Sequence, residues 1–102
     1  MLGHKHAVIK RATNIMERCV LIHNSAFIEY KESEEKKEAL EALEEVVRTI
    51  GTALDQYKEK EINLNVLEII WSSCVSDYYK IIKEYPWLSK FDLHPGEMAT
   101  GV

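Results

Sequence analysis

Three runs of apolar residues, each stepping along the chain by threes and fours, restrict what this 102-residue sequence can fold into. The first is Val8, Ala12, Ile15, Cys19, Ile22 and Ala26; the second is Leu40, Leu43, Val47, Ile50, Leu54 and Tyr57; the third is Leu67, Trp71, Cys74, Tyr78, Ile81 and Tyr85. That spacing puts each run on one face of an α-helix and leaves the opposite face to polar residues. Ile9, Met16, Val20 and Phe27 widen the first stripe on one side, while Lys10, Arg11, Glu17, Arg18 and Ser25 lie mostly elsewhere on the cylinder. No strand-type alternation, hairpin dipeptide or Gly/Ser linker interrupts the pattern. The predicted fold is all-α: three long amphipathic helices in an up-down-up bundle with a short C-terminal fourth helix or cap. Residues 1–102 make a single domain by length.

Local signals set the boundaries. Helix one runs from about Lys5 to Tyr30. Ser33 is a suitable N-cap for helix two, followed by Glu34 and Glu35 where negative charge complements the helix dipole. Glu32–Lys36 and Glu44–Arg48 are i,i+4 pairs, each worth a few tenths of a kcal/mol on a helix surface. Gly51 inside this helix costs about 1 kcal/mol relative to Ala, which points to close packing there. Helix three takes Asn65 as its N-cap, with Glu68 as capping-box partner and Leu64 stapled against Ile69. It ends near Glu84 or Tyr85, because Pro86 disfavours helical backbone in the residue before it. The segment from Trp87 to Leu93 forms the fourth helix or cap, His94-Pro95-Gly96 turns the chain, and 97–102 is a frayed tail.

Charge and composition exclude several function classes. Residues 1–31 carry a net +3, 32–62 a net −5 and 63–102 a net −2, giving −4 for the chain. With no basic stripe, nucleic acid is disfavoured as a partner, since phosphate-backbone binding depends on clustered Lys and Arg. Apolar runs of about four residues fall far short of the ~20 needed for a membrane span. The N-terminal residues lack a secretory apolar core, so the expected location is cytoplasmic. A single glutamine, Gln56, against abundant Lys and Glu is a pattern of thermophile proteins.

Sliding the chain on itself by 55 residues aligns Ile15 with Ile70, Cys19 with Cys74, Val20 with Val75, Glu29 with Glu84 and Tyr30 with Tyr85. Shared helical patterning accounts for most of this weak internal repeat. Its geometric consequence is that Cys19 and Cys74 sit at similar height in the core, as small inert apolar groups. A disulfide between them would suit only a thermophile.

Little in the sequence carries chemistry. Cys19 and His23 are an i,i+4 pair, but a metal site needs further ligands, and neither a metal nor a cofactor is expected. Glu34-Glu35-Lys36-Lys37-Glu38 resembles the EExxE element of MazG-type nucleotide pyrophosphatases, whose second element, ExxD, is absent here. Arg18-Cys19-Val20-Leu21-Ile22-His23 resembles the R-x4-H motif of HEPN-domain ribonucleases, small helical proteins that usually dimerise. The resemblance covers six residues and implies a metal-independent ribonuclease in which His23 moves protons and Arg18 stabilises charge. In that family the motif normally comes late in the chain, and a polar residue commonly follows the Arg where Cys19 stands here.

The strongest compositional asymmetry is aromatic. Trp71, Tyr78, Tyr79, Tyr85, Trp87 and Phe91 are six of the nine aromatic residues, more than helix three and its cap need for one core. Trp and Tyr dominate interface hot spots. The expected function is therefore a non-enzymatic protein–protein interaction or assembly module, presenting these six residues to a partner protein or to a second copy in a homo-oligomer. The HEPN-like ribonuclease using Arg18 and His23 is the alternative.

Overall fold

The computed structural model describes residues 2–92, with side chains from His4 onward. Three α-helices follow one another, α1 (Leu2–Glu29), α2 (Glu34–Lys58) and α3 (Leu64–Glu84), and a 3-10 helix over Pro86–Phe91 closes the described chain. The fold is an all-α bundle. The expected turn at His94 and the tail over 97–102 lie outside the described residues.

Cross-helix contacts give the directions. Phe27 meets Lys36, His23 meets Glu44 and Met16 lies against Gly51, so numbers fall along α1 as they rise along α2 and the two helices are antiparallel. His4–Glu68, Arg11–Trp71 and Arg18–Tyr78 rise together, so α1 and α3 are parallel. The result is the up-down-up order, in a rod of 45 × 25 × 19 Å.

All six residues of the first stripe are buried in the core. On α2 the buried line is Ala39, Val46 and Ala53 beside Leu40, Leu43 and Ile50, whereas Val47 and Leu54 are only half-buried. The face is thus rotated by one residue from the sequence expectation. Small side chains at Ala39 and Ala53 let α2 approach its neighbours along that line. Gly51 also departs from expectation. A Cβ there would meet only the Met16 sulfur, at 3.6 Å, which is ordinary van der Waals contact, so close packing does not demand glycine.

Helix ends follow local chemistry. The Ser33 hydroxyl accepts from the Lys36 amide at 3.0 Å, capping α2 as expected. Its other end is a Schellman turn: the Glu61 amide donates to the Gln56 carbonyl and the Lys60 amide to the Tyr57 carbonyl. Lys60 takes the left-handed conformation this turn requires, at φ 64°. The cap of α3 is Asn63, not Asn65; its side-chain oxygen accepts from the Val66 amide at 2.9 Å. The helix starts one residue before Asn65, and Ile69, 68% exposed, makes no staple.

The 3-10 helix folds back over α1 and α3, burying Leu88 completely and Phe91 almost so. Burial of a leucine side chain is worth about 1.5–3 kcal/mol. A buried clip locks the segment in place. Arg18 Nε and Nη2 donate to the Asp92 carboxylate at 2.9 Å, and the Tyr78 hydroxyl donates to the same carboxylate at 3.1 Å.

Candidate functional site

Of the six aromatic residues singled out from the sequence, the bundle itself takes up most. Tyr78, Tyr85 and Phe91 are buried, Trp71 and Trp87 are half-buried, and Tyr79 alone of the six is exposed. Trp87 stacks flat on Tyr30 with ring centres 3.8 Å apart, and its indole N–H donates to Glu35 at 2.8 Å. Trp71 is covered by the Arg11 guanidinium, 5.8 Å from the ring centre. Their packing surface is spent in pinning the 3-10 helix to the α1–α2 junction and α3 to α1.

Arg18 and His23 are held apart. The arginine points toward α3 and the 3-10 helix, where burial opposes its charge, and the hydrogen bond and charge of Asp92 more than compensate, holding its pKa above the ordinary value. The histidine faces α2, with Nε2 at 2.8 Å from the Glu44 carboxylate. The two motif residues thus engage different neighbours of α1.

Cys19 and Cys74 are free thiols in the same core cluster. Burial, with the nearby Cys74 adding to it, pushes the Cys19 thiol up to about 12, and burial pushes Cys74 up to about 11. Thiols held protonated in this way are poor nucleophiles. Among the described residues no group of three or more His, Cys, Asp or Glu side chains could hold a metal ion. No helix among them is long and apolar enough to cross a membrane.

Among the described residues, the bundle leaves exposed the outer face of α1 in its second half. Val20 is 37% exposed, Leu21 48%, Phe27 62% and Ile28 77%. Val20 and Phe27 were expected to widen the core stripe; they stand instead at the rim of the α1–α2 groove, because the core is already filled along Cys19, Ile22 and Ala26. Glu17, Asn24 and Lys31, also exposed, extend the same face. At 100° per residue the six helical ones, Glu17 to Ile28, fall within about a third of the helix circumference, and Lys31 follows two residues past the helix end. Among the described residues the other large exposed apolar side chains are Val66, Ile69 and Tyr79; Val66 and Ile69 are i,i+3 neighbours near the start of α3, and Tyr79 stands ten residues beyond Ile69.

Two furrows run beside the stripe, between α1 and α2. The larger, of about 390 Å³, lies by Phe27, His23, Lys36, Leu40 and Glu44. The smaller, of about 210 Å³, lies by Val20, Asn24, Val47 and Arg48. Lys36 braces this end of the site. Although charged, it is buried, and its ammonium donates to the Phe27 carbonyl at 2.8 Å and the Tyr30 carbonyl at 2.7 Å, with Glu32 at 2.6 Å. It thereby caps the C-terminus of α1, which has no basic residue of its own in its last turn. The same ammonium lies 5.5 Å from the Phe27 ring centre, so the most prominent aromatic of the face is held in place.

The sequence did contain a signal for this face. Val20 and Phe27, like Leu21 and Ile28, are seven residues apart, a second apolar line outside the one the core uses. Comparison with protein-family models, with characterised proteins and with solved structures returned no match for this chain.

Proposed function

We propose that the protein is a non-enzymatic interaction or assembly module that acts by burying an exposed helical surface against protein. The observation that carries this reading is the α1 stripe of Val20, Leu21, Phe27 and Ile28. Together these residues expose roughly 400 Å² of surface, the size of the largest apolar patch on a typical monomer, which is often a functional one. The stripe is two apolar pairs on either side of Asn24, flanked by charge and carried on a helix, which keeps the entropic cost of ordering it on binding small. The separation of Arg18 from His23, each engaged by a carboxylate, favours this reading over ribonuclease chemistry.

Site-specific photocrosslinking tests it. A photoreactive phenylalanine analogue at Ile28, in cells that make the protein naturally, is expected to give a discrete protein adduct that Leu21→Glu abolishes. The same probe at Lys80, exposed on α3, is expected to give none. No adduct at 28 above that control would sink the interaction reading.

A further inference from the structure

We propose that the occupant of this surface is a second copy of the chain, laid antiparallel along α1 across a two-fold axis beside Asn24. The inference rests on the interaction reading above and adds to it the partner and the geometry.

The face reads the same in both directions. From one end it runs Glu17, then Val20 and Leu21, then Asn24, then Phe27 and Ile28, then Lys31 just past the helix end, and all seven are exposed. An acid and a base terminate it, two large apolar residues follow on each side, and an amide stands in the middle. Reversing the face on itself about Asn24 sets Val20 against Ile28 of the second copy and Leu21 against Phe27. It also sets Glu17 at each end against Lys31 of the other copy. An Asn at the centre of an apolar helix seam is satisfied by a second Asn, since each amide both donates and accepts, and such a residue fixes register.

Charge decides the orientation. A parallel pairing in the same register would set Glu17 against Glu17 and Lys31 against Lys31, and like charges across an interface are repulsive. Only the antiparallel arrangement pairs opposite signs at both ends. Size is adequate: Val20, Leu21, Phe27 and Ile28 expose about 400 Å² per copy, about half of the ~800 Å² that each partner buries in a standard interface, close to the apolar fraction such interfaces carry. The larger furrow beside Phe27 gives the side chain of the other copy's Leu21 a place to settle as the helices close. Closed two-fold symmetry uses the one patch twice and leaves no complementary surface to be found elsewhere.

A charge-swap cycle read by sedimentation equilibrium at low ionic strength tests this. The unmodified protein is expected to dimerise reversibly. Glu17→Lys and Lys31→Glu are each expected to weaken the dimer about tenfold, because symmetry repeats each like-charge contact twice. The double variant, with the charges exchanged, is expected to restore the constant to within about threefold. Both substitutions are at exposed positions, and circular dichroism verifies that the fold is kept in all three variants. A monomer up to roughly 100 μM would overturn the proposal, as would a dimer insensitive to both single changes or a double variant without rescue. Failure here with a position-28 adduct to another protein would leave the interaction reading standing; loss of both would remove it too.

Discussion

Replacing Lys36 by Met keeps the length and apolar stem of the side chain and deletes only its ammonium. The structure makes that deletion costly, because the group is buried and donates to two main-chain carbonyls, those of Phe27 and Tyr30. Hydrogen bonds from a charged donor contribute about 1.5–3 kcal/mol each. Against this stands the relief of no longer desolvating an ammonium, which offsets a large share of the gain from burying the pair of bonds. The net expectation is a loss of about 2–3 kcal/mol, which for a domain of this size lowers Tm by about 10–20 °C. Glu32 supplies the control. Its carboxylate touches the same ammonium but is 87% exposed, so Glu32→Gln should cost no more than about 0.5 kcal/mol. Urea denaturation of both variants measures the difference. Equal, small losses would refute the reasoning, for they would mean that Lys36 is an ordinary surface member of an i,i+4 pair.

Three other outcomes follow from particular positions. Gly51→Ala should stabilise by about 0.5–1 kcal/mol, since it removes a helix-interior glycine and the new methyl meets only the Met16 sulfur at ordinary contact distance; a loss on denaturant titration would contradict the packing described. Lys60→Gly should stabilise by up to about 1 kcal/mol, because the left-handed position of the Schellman turn penalises a side chain; an unchanged or lower midpoint would speak against that turn. Cys19 and Cys74 should resist a thiol reagent in the native protein and both react after denaturation. Because burial raises both thiols above their ordinary value, to about 12 and about 11, the native state keeps protons that the unfolded chain gives up. Their stabilising contribution is therefore present below the ordinary thiol pKa and is lost as pH rises toward those values. Cys19→Ala with Cys74→Ala should flatten the alkaline fall in Tm; an unaltered fall would exclude the thiols as its source.

How far the sequence could be read depended on whether the deciding contact was local. The Ser33 cap and the Pro86 stop are chosen by neighbours within four residues, and both appear where expected. Asn63 and Asn65 offer the same side chain two residues apart, and the path of the chain leaving the Schellman turn selects the first. The one-residue rotation of the α2 face is a tertiary choice, since Val46 and Val47 are equivalent until two other helices pack on them. Lys36 shows the limit most plainly. Its spacing from Glu32 signals a solvated pair, whereas its use is to cap another helix, a contact that exists only once α1 and α2 have turned against each other. The aromatic excess was visible as composition, but its destination was not: stacking of Trp87 on Tyr30 and burial of Tyr78 against Asp92 absorb surface that sequence counting leaves over. The exposed line of α1 was present as a seven-residue spacing, hidden because Val20 and Phe27 also border the core stripe.

Distance measurement between two copies tests the central claim most directly. Spin labels at Lys10→Cys and at Glu29→Cys, in separate variants, can be introduced selectively because Cys19 and Cys74 are buried and protonated. An antiparallel pair centred on Asn24 puts the two copies of position 10 about 40 Å apart along the helices, at 1.5 Å per residue, and the two copies of position 29 about 15 Å apart along them. Pulsed electron paramagnetic resonance should therefore return one long and one short intermolecular distance. Two short distances, or no dipolar coupling in either variant, would contradict the account.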